Sequence, residues 1–182
     1  MTRSILKFTK IRDVKSPQRG TPKSAGIDFF VPKFTEQFLI DLELKNPQVN
    51  DVRSNEYEYI IERDRIILAP HAQLVIPSGI KIIGNTNMVY PFMNKSGVAT
   101  KRHLNRTAEV VDEDYGGELH IAIQNTSNSM IVINEDDKII QLLELHCEYS
   151  ELTELTNEEY NTEFEKMNSV RGVGGFGSTG TK

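Results

Sequence analysis

The chain has little that would staple it, anchor it in a membrane or give it positive charge. Only one cysteine, Cys147, stands among 182 residues. An internal disulfide framework is therefore excluded, and a reducing cytoplasm is the expected compartment. No obvious activator lies near Cys147 in sequence, so an inert, buried thiol is expected there. No apolar run approaches the roughly 18 residues that cross a bilayer, and the opening Met1-Thr-Arg-Ser-Ile-Leu-Lys-Phe8 lacks the apolar region of a secretory signal. No membrane association is expected. Lysine and arginine number 21 against 26 acids, a net charge of −5, which argues against direct nucleic-acid binding, because phosphate-backbone affinity rests on clustered cations. Any phosphate ligand must be held by a small local group of donors. The four histidines, His71, His103, His120 and His146, lack metal-ligand spacing.

What is present is a set of short apolar runs broken by proline and glycine. The length suits one domain, and 38% hydrophobic content in short stretches points to many strands rather than a few long helices. Ile5–Ile11, Ile27–Val31, Arg65–Leu68, Gln73–Ile76, Ile80–Ile83, Met88–Tyr90, Met130–Ile133 and Lys138–Leu145 are of strand length, with Ala69-Pro-His71, Pro77-Ser-Gly79 and Gly84–Asn87 as turns. That spacing implies an all-β sandwich or barrel. Thr156-Asn-Glu-Glu159 matches a helix capping box, and a short helix is expected over 157–167. The segment Lys33–Asp64, with Asn46-Pro47 and a charged, tyrosine-bearing run, reads as an extra hairpin or an insertion lying over the surface.

Five stretches carry chemistry. The central one, Ala108–Asn125, holds Asp112-Glu-Asp114, Tyr115 and Gly116-Gly117 between Val110-Val111 and Leu119-His-Ile-Ala-Ile123, a pattern that predicts a β-hairpin with charge at its tip. Repulsion raises the cost of ionising all three acids together, which suits either a solvated turn or a site. Ser96-Gly97 begins a helix-compatible run, an anion-attracting N-terminus beside Lys95, Lys101 and Arg102, the one compact basic cluster of the sequence. Asp28, between Ile27 and Phe29, is a turn-capping acid or a site residue. Gln141, inside an apolar strand, is a buried amide or a site residue. The tail Arg171-Gly-Val-Gly-Gly-Phe-Gly-Ser-Thr-Gly180 is too rich in glycine to form a core. It reads as a mobile arm carrying phosphate donors and one stacking face.

Taken in order, Ala25-Gly-Ile-Asp28, Lys95-Ser-Gly97, Val111-Asp-Glu-Asp-Tyr-Gly-Gly-Glu118, Asp137-Lys-Ile-Ile-Gln-Leu142 and Arg171–Gly180 resemble the trimeric dUTP pyrophosphatase (dUTPase) family. The resemblance implies a distorted jelly-roll, β-barrel-like domain over 1–170, with 33–64 as an insertion, and a flexible arm over 171–182. It further implies a homotrimer with sites shared between subunits, and Mg2+-assisted hydrolysis of dUTP to dUMP and pyrophosphate. On the family's pattern Asp112 would be the general base. Tyr115 would pack on the deoxyribose and exclude a 2′-hydroxyl. The backbone before Asp112, including Val111, would read uracil. Phe176 would stack on the base. Lys95, Ser96, Gly97, Gln141, Arg171, Gly177, Ser178 and Thr179 would hold the substrate, chiefly its phosphates. Mg2+ would ride mainly on those phosphates, with Asp28 touching its water shell.

The chain departs from the family where Lys95 stands for arginine, where Gly116 stands for a larger residue and where Ile27 replaces an aromatic. The family's uracil-contacting asparagine falls on Arg106, with Asn105 one place earlier. Two rivals are weighed. A dCTP deaminase of the same fold needs a glutamate base ten residues beyond the aspartate, where this chain has Ala122. A binding protein would use a nucleotide-gated arm and the 33–64 segment to engage a protein partner.

Overall fold

The computed structural model describes residues 5–47, 59–62 and 65–174. The chain divides into two compact units, Met1–Glu148 and Tyr149–Lys182. Short strands dominate the first: β1 (Lys7–Lys10), β2 (Gln18–Arg19), β3 (Ile27–Phe30), β4 (Tyr59–Glu62), β5 (Arg65–Leu68), β6 (Gln73–Pro77), β7 (Ile80–Ile83), β8 (Met88–Val89), β9 (Phe92–Asn94), β10 (Leu104–Arg106), β11 (His120–Asn125), β12 (Ile131–Asn134), β13 (Lys138–Leu142) and β14 (Leu145–His146). Two helices interrupt them, α1 (Glu36–Lys45) and α2 (Ser96–Lys101). The sheets run in the orders β2-β3-β13-β9, β10-β11-β6, β12-β5-β4, β1-β7 and β14-β8. The pairing is antiparallel, and β13 and β12 reach partners far back in the chain, as the expected all-β, jelly-roll-like architecture requires.

The strands form where aliphatic residues alternate with polar ones. In β11 against β6, Ile121 faces Ile76 and Ile123 faces Leu74, and all four are buried. Such cross-strand aliphatic pairs are the unit of sheet stability. Phe29, Ile66, Leu68, Tyr90, Ile140 and Leu142 extend the same core, with Phe29 edge-on to Phe92 at 5.2 Å.

In the described part of the segment 33–64, residues 33–47 carry a helix that packs one face into the core rather than lying over the surface. Thr35 caps α1 by accepting from Phe38 N–H, and Phe38 and Leu42, one turn apart, are completely buried. Asn46, also buried, donates to Leu42 O and Val75 O while accepting from Val75 N–H, which stitches the end of α1 to β6. At the segment's end β4 pairs antiparallel with β5, Tyr59 opposite Leu68 and Glu62 opposite Arg65.

The central segment is not the hairpin that its alternation predicts. Its outgoing arm is β11, but β11 pairs with β10 and β6, while Val111 bonds through its carbonyl to Tyr90 N–H. Each arm is already paired elsewhere, the first with the Tyr90–Phe92 stretch and the second with β10 and β6, so the two do not close on each other. Cys147 is half-buried rather than buried.

In the second unit, α3 spans Asn157–Lys166 with the expected capping box, Thr156 and Glu159 each bonding the other's backbone. This helix, grouped by sequence with the β domain, falls beyond the division at Glu148.

Candidate functional site

After β10 the chain runs beside β9, where Phe92 N–H donates to Glu109 O at 2.8 Å and Tyr90 N–H to Val111 O at 2.9 Å. It then turns, with Tyr115 N–H donating to Asp112 O at 3.2 Å. The three acids separate at this turn. Glu113 folds back and accepts from Met88 N–H at 3.1 Å, while Asp112 and Asp114 face solvent. Gly84 lies against the backbone of Glu113, so closely that a Cβ there would overlap it. The turn is thus fixed from beneath, and the Asp112 carboxylate has no hydrogen-bond or ion-pair partner among the described residues. Tyr115, 43% exposed, donates its hydroxyl to Glu118 O at 3.1 Å.

A second group gathers on β13, which lies between β3 and β9. Gln141 stands opposite Asp28 on one side and Met93 on the other, and its amide donates to Asn94 O at 2.9 Å. Asp28 is 4% exposed and pairs with Lys95 and, at 3.6 Å, with Lys138. Lys95 occupies the N-cap of α2 without a side-chain cap bond. The N–H groups of Ser96 and Gly97 therefore have no acceptor within the helix, and both residues are exposed.

The basic cluster is not compact. Arg102 turns away, donating to Val132 O and Asp137, and of the three cations only Lys95 reaches Asp28. Asn94, which sequence reasoning passed over, ties these pieces together. Its amide donates to Asn105 Oδ1, its side-chain oxygen accepts from Arg106 N–H, and its carbonyl accepts from Gln141. Asn105 also donates to Thr126 Oγ1, and the Arg106 guanidinium pairs with Glu109.

These two groups flank β9 but are not joined to each other. No hydrogen bond or ion pair connects Asp112 or Tyr115 with Lys95, Ser96 or Gln141 among the described residues. Arg171 belongs to the second unit, where it is exposed and donates to Gly174 O at 2.8 Å. Phe176, Gly177, Ser178 and Thr179 lie outside the described residues. No group of three His, Cys, Asp or Glu side chains that could hold a metal ion occurs among the described residues, and no helix of these residues is long and apolar enough to cross a membrane. A cavity of about 240 Å³ lined by Leu6, Phe8, Ile27, Phe29, Ile82 and Glu144 lies elsewhere and includes neither group.

Comparison with known proteins bears on both groups. A model of the dUTPase family matches residues 54–180. The chain is 28% identical over 177 residues to the deoxyuridine 5′-triphosphate nucleotidohydrolase of Mus musculus, covering 96% of this chain and 85% of that protein. Against the Kluyveromyces lactis protein of the same name it is 29% identical over 185 residues, covering 99% of each. In fold it resembles a mutant dUTPase of Staphylococcus bacteriophage 80alpha solved with dUpNHpp, at a TM-score of 0.69 and 19% identity over 98% of this chain and all of that one. The matched span contains the Lys95 helix start, the acidic turn and β13, and with them the chain belongs to the dUTPase family.

Proposed function

We propose that the protein hydrolyses dUTP to dUMP and pyrophosphate, limiting uracil entry into DNA and supplying dUMP for thymidylate synthesis. The observation that carries this reading is the Asp112 carboxylate, unpartnered and solvent-facing on a turn whose neighbours are pinned by Met88 and Gly84. Asp112 would take a proton from a water that attacks the α-phosphorus. A new P–O bond forms as the bond to the β-phosphate oxygen breaks, and pyrophosphate leaves with that electron pair. Tyr115 would pack on the sugar, and the backbone at Val111 would read the base. Lys95, Ser96, Gly97, Gln141, Arg171, Ser178 and Thr179 would hold phosphate oxygens, with Gly177 beside them and Phe176 stacked on uracil. The deaminase alternative has no base, since Ala122 is buried in β11 opposite Val75.

Magnesium would be held mainly by the triphosphate itself. The described residues offer no carboxylate cage, and Asp28, the one candidate toward its water shell, is shared by two ammonium groups. When bound, the ion would neutralise phosphate charge. Membership of the dUTPase family supports a homotrimer in which different subunits complete each site, and the single cysteine supports a cytoplasmic location. The test is pyrophosphate release, with Mg2+, from dUTP, dCTP, dTTP and UTP in parallel. Turnover of dUTP alone supports the reading, and turnover of none of the four overturns it.

A further inference from the structure

A heavily bonded carboxylate just past the acidic turn belongs to no residue of the proposed chemistry. Glu118, four residues past the turn's Asp114, is anchored on three sides. Arg12 Nε donates to its Oε1 at 2.7 Å and Arg12 Nη2 to its Oε2 at 2.9 Å, the paired fork of a guanidinium on a carboxylate. Gly79 N–H donates to Oε1 at 2.7 Å. The side chains of Arg12 and Glu118 are 14% and 12% exposed, so water competes little for these bonds. Burial pushes the Glu118 carboxyl up, yet Arg12 and the Gly79 N–H outweigh it and hold Glu118 below its ordinary value. The next residue is held too, Leu119 N–H donating to Ile80 O and Ser78 N–H to Leu119 O.

The main-chain carbonyl of Glu118 is the acceptor for the Tyr115 hydroxyl, and this is the ring's polar tether. Gly117 lies under that hydroxyl so closely that a Cβ would strike it. The ring is therefore placed as accurately as the Glu118 carbonyl is placed. That carbonyl belongs to the residue whose side chain Arg12 grips, and the remaining Nη1 of Arg12 pairs with Asp41 of α1 at 2.6 Å. A connected path runs from α1 through Asp41, Arg12 and Glu118 to Tyr115.

We infer that Arg12 and Glu118 are positioning residues that lock the Tyr115 ring and thereby set discrimination against nucleotides bearing a 2′-hydroxyl, with Asp41 of α1 tuning the lock. This rests on the reading of Tyr115 as the sugar-facing residue. A ring that excludes one oxygen atom does so by sub-ångström placement. Loosening its carbonyl anchor admits ribonucleotides before it abolishes turnover of deoxyribonucleotides.

The experiment measures kcat and KM for dUTP and UTP in the natural chain and in Arg12→Gln, Arg12→Lys, Asp41→Asn, Tyr115→Phe and Tyr115→Ala. Thermal melts are recorded for each. Arg12→Gln is expected to lower the dUTP-over-UTP ratio of kcat/KM about tenfold, chiefly through better UTP turnover, and Asp41→Asn less. Arg12→Lys, which keeps the charge but not the fork, falls between Arg12→Gln and the natural chain. Tyr115→Phe keeps the ring and the ion pair but cuts the tether, so it should lose selectivity like Arg12→Gln, and it carries the test if Arg12→Gln does not fold. Full selectivity in both Arg12→Gln and Tyr115→Phe, alongside a loss in Tyr115→Ala, overturns the inference and leaves the sugar reading standing. Full selectivity in Tyr115→Ala overturns both.

Discussion

Gln141 lies directly opposite Asp28 in the β3–β13 ladder, and Lys95 reaches the same buried carboxylate from the N-cap of α2. Asp28 thus stands at the junction of three chain segments that are far apart in sequence. Removing it strands an ammonium. Lys95 is only 23% exposed at its side chain, and leaving one partner of a mostly buried pair uncompensated is costly. Asp28→Asn is expected to destabilise the fold by about 2 to 3 kcal/mol, with Lys138, more exposed, contributing little to the loss. Urea unfolding measures it. Adding Lys95→Met to Asp28→Asn should return part of the stability, because the charge left without a partner is then gone.

Asp112 behaves in the opposite way. Its carboxylate holds nothing in place, so Asp112→Asn should leave stability within about 0.5 kcal/mol while lowering kcat for dUTP at least about 100-fold, the low end for a general base. Glu113, its neighbour, is the reverse case. It anchors the turn through Met88 N–H, and Glu113→Ala should cost about 1 kcal/mol of stability. Steady-state kinetics and thermal melts on the two variants separate the roles. A silent Asp112→Asn would sink the proposed mechanism.

Much of this was legible before the structure. The capping box at Thr156, the start of α2 at Ser96 and most strand runs are local signals: a cap acts within four residues, and alternation is visible within five. What escaped is non-local or unsigned. The α1 helix has Thr35 at its cap and Phe38 and Leu42 one turn apart, but the apolar spacing is diluted by Ile40 and Leu44 on the exposed side. The central hairpin was misread because alternation says that a segment is extended and not what it pairs with. Glu118 was visible as part of a motif, but its partner Arg12 lies 106 positions away, and nothing in sequence links the two. Asn94 was hidden for a different reason: an asparagine at the end of a strand is ordinary until its three bonds are seen.

Stability should fall with acid in two separate ranges, the lower one shared by Glu118 with Asp41 and Asp136, which Arg12 and Lys33 hold below the ordinary carboxylate value. Burial, reinforced by Lys45 and opposed by Glu118, holds His120 below its ordinary value of 6.5, and its Nε2 is buried with no partner among the described residues. The folded protein binds this proton less readily than the unfolded chain, so stability drops as pH falls below about 6.5 and levels off beneath the folded value. Glu118 is lowered from 4.5. Its contribution is intact above that pH and is lost as pH falls through the folded value. His120→Gln should flatten the first step and leave the second, which melts at half-unit intervals of pH between about 3 and 8 would reveal.

Gly84 tests whether the turn's seat matters to the chemistry. Its backbone φ lies outside the left-handed range, so alanine is conformationally acceptable there and only space is at issue. The added Cβ would meet Glu113 backbone atoms, which belong to a main chain and cannot swing aside like a side-chain end. Either the turn shifts outward or the β7–β8 connection gives way, at about 1 to 3 kcal/mol. In both cases the Met88 to Glu113 bond is strained, and in the first Asp112 moves with the turn. Gly84→Ala should therefore lose both stability and dUTP turnover. Asp114→Asn, on the same turn but solvent-facing and without contacts that hold it, should lose neither. Equal turnover in Gly84→Ala and the natural chain would mean that the base is positioned by substrate rather than by the turn beneath it.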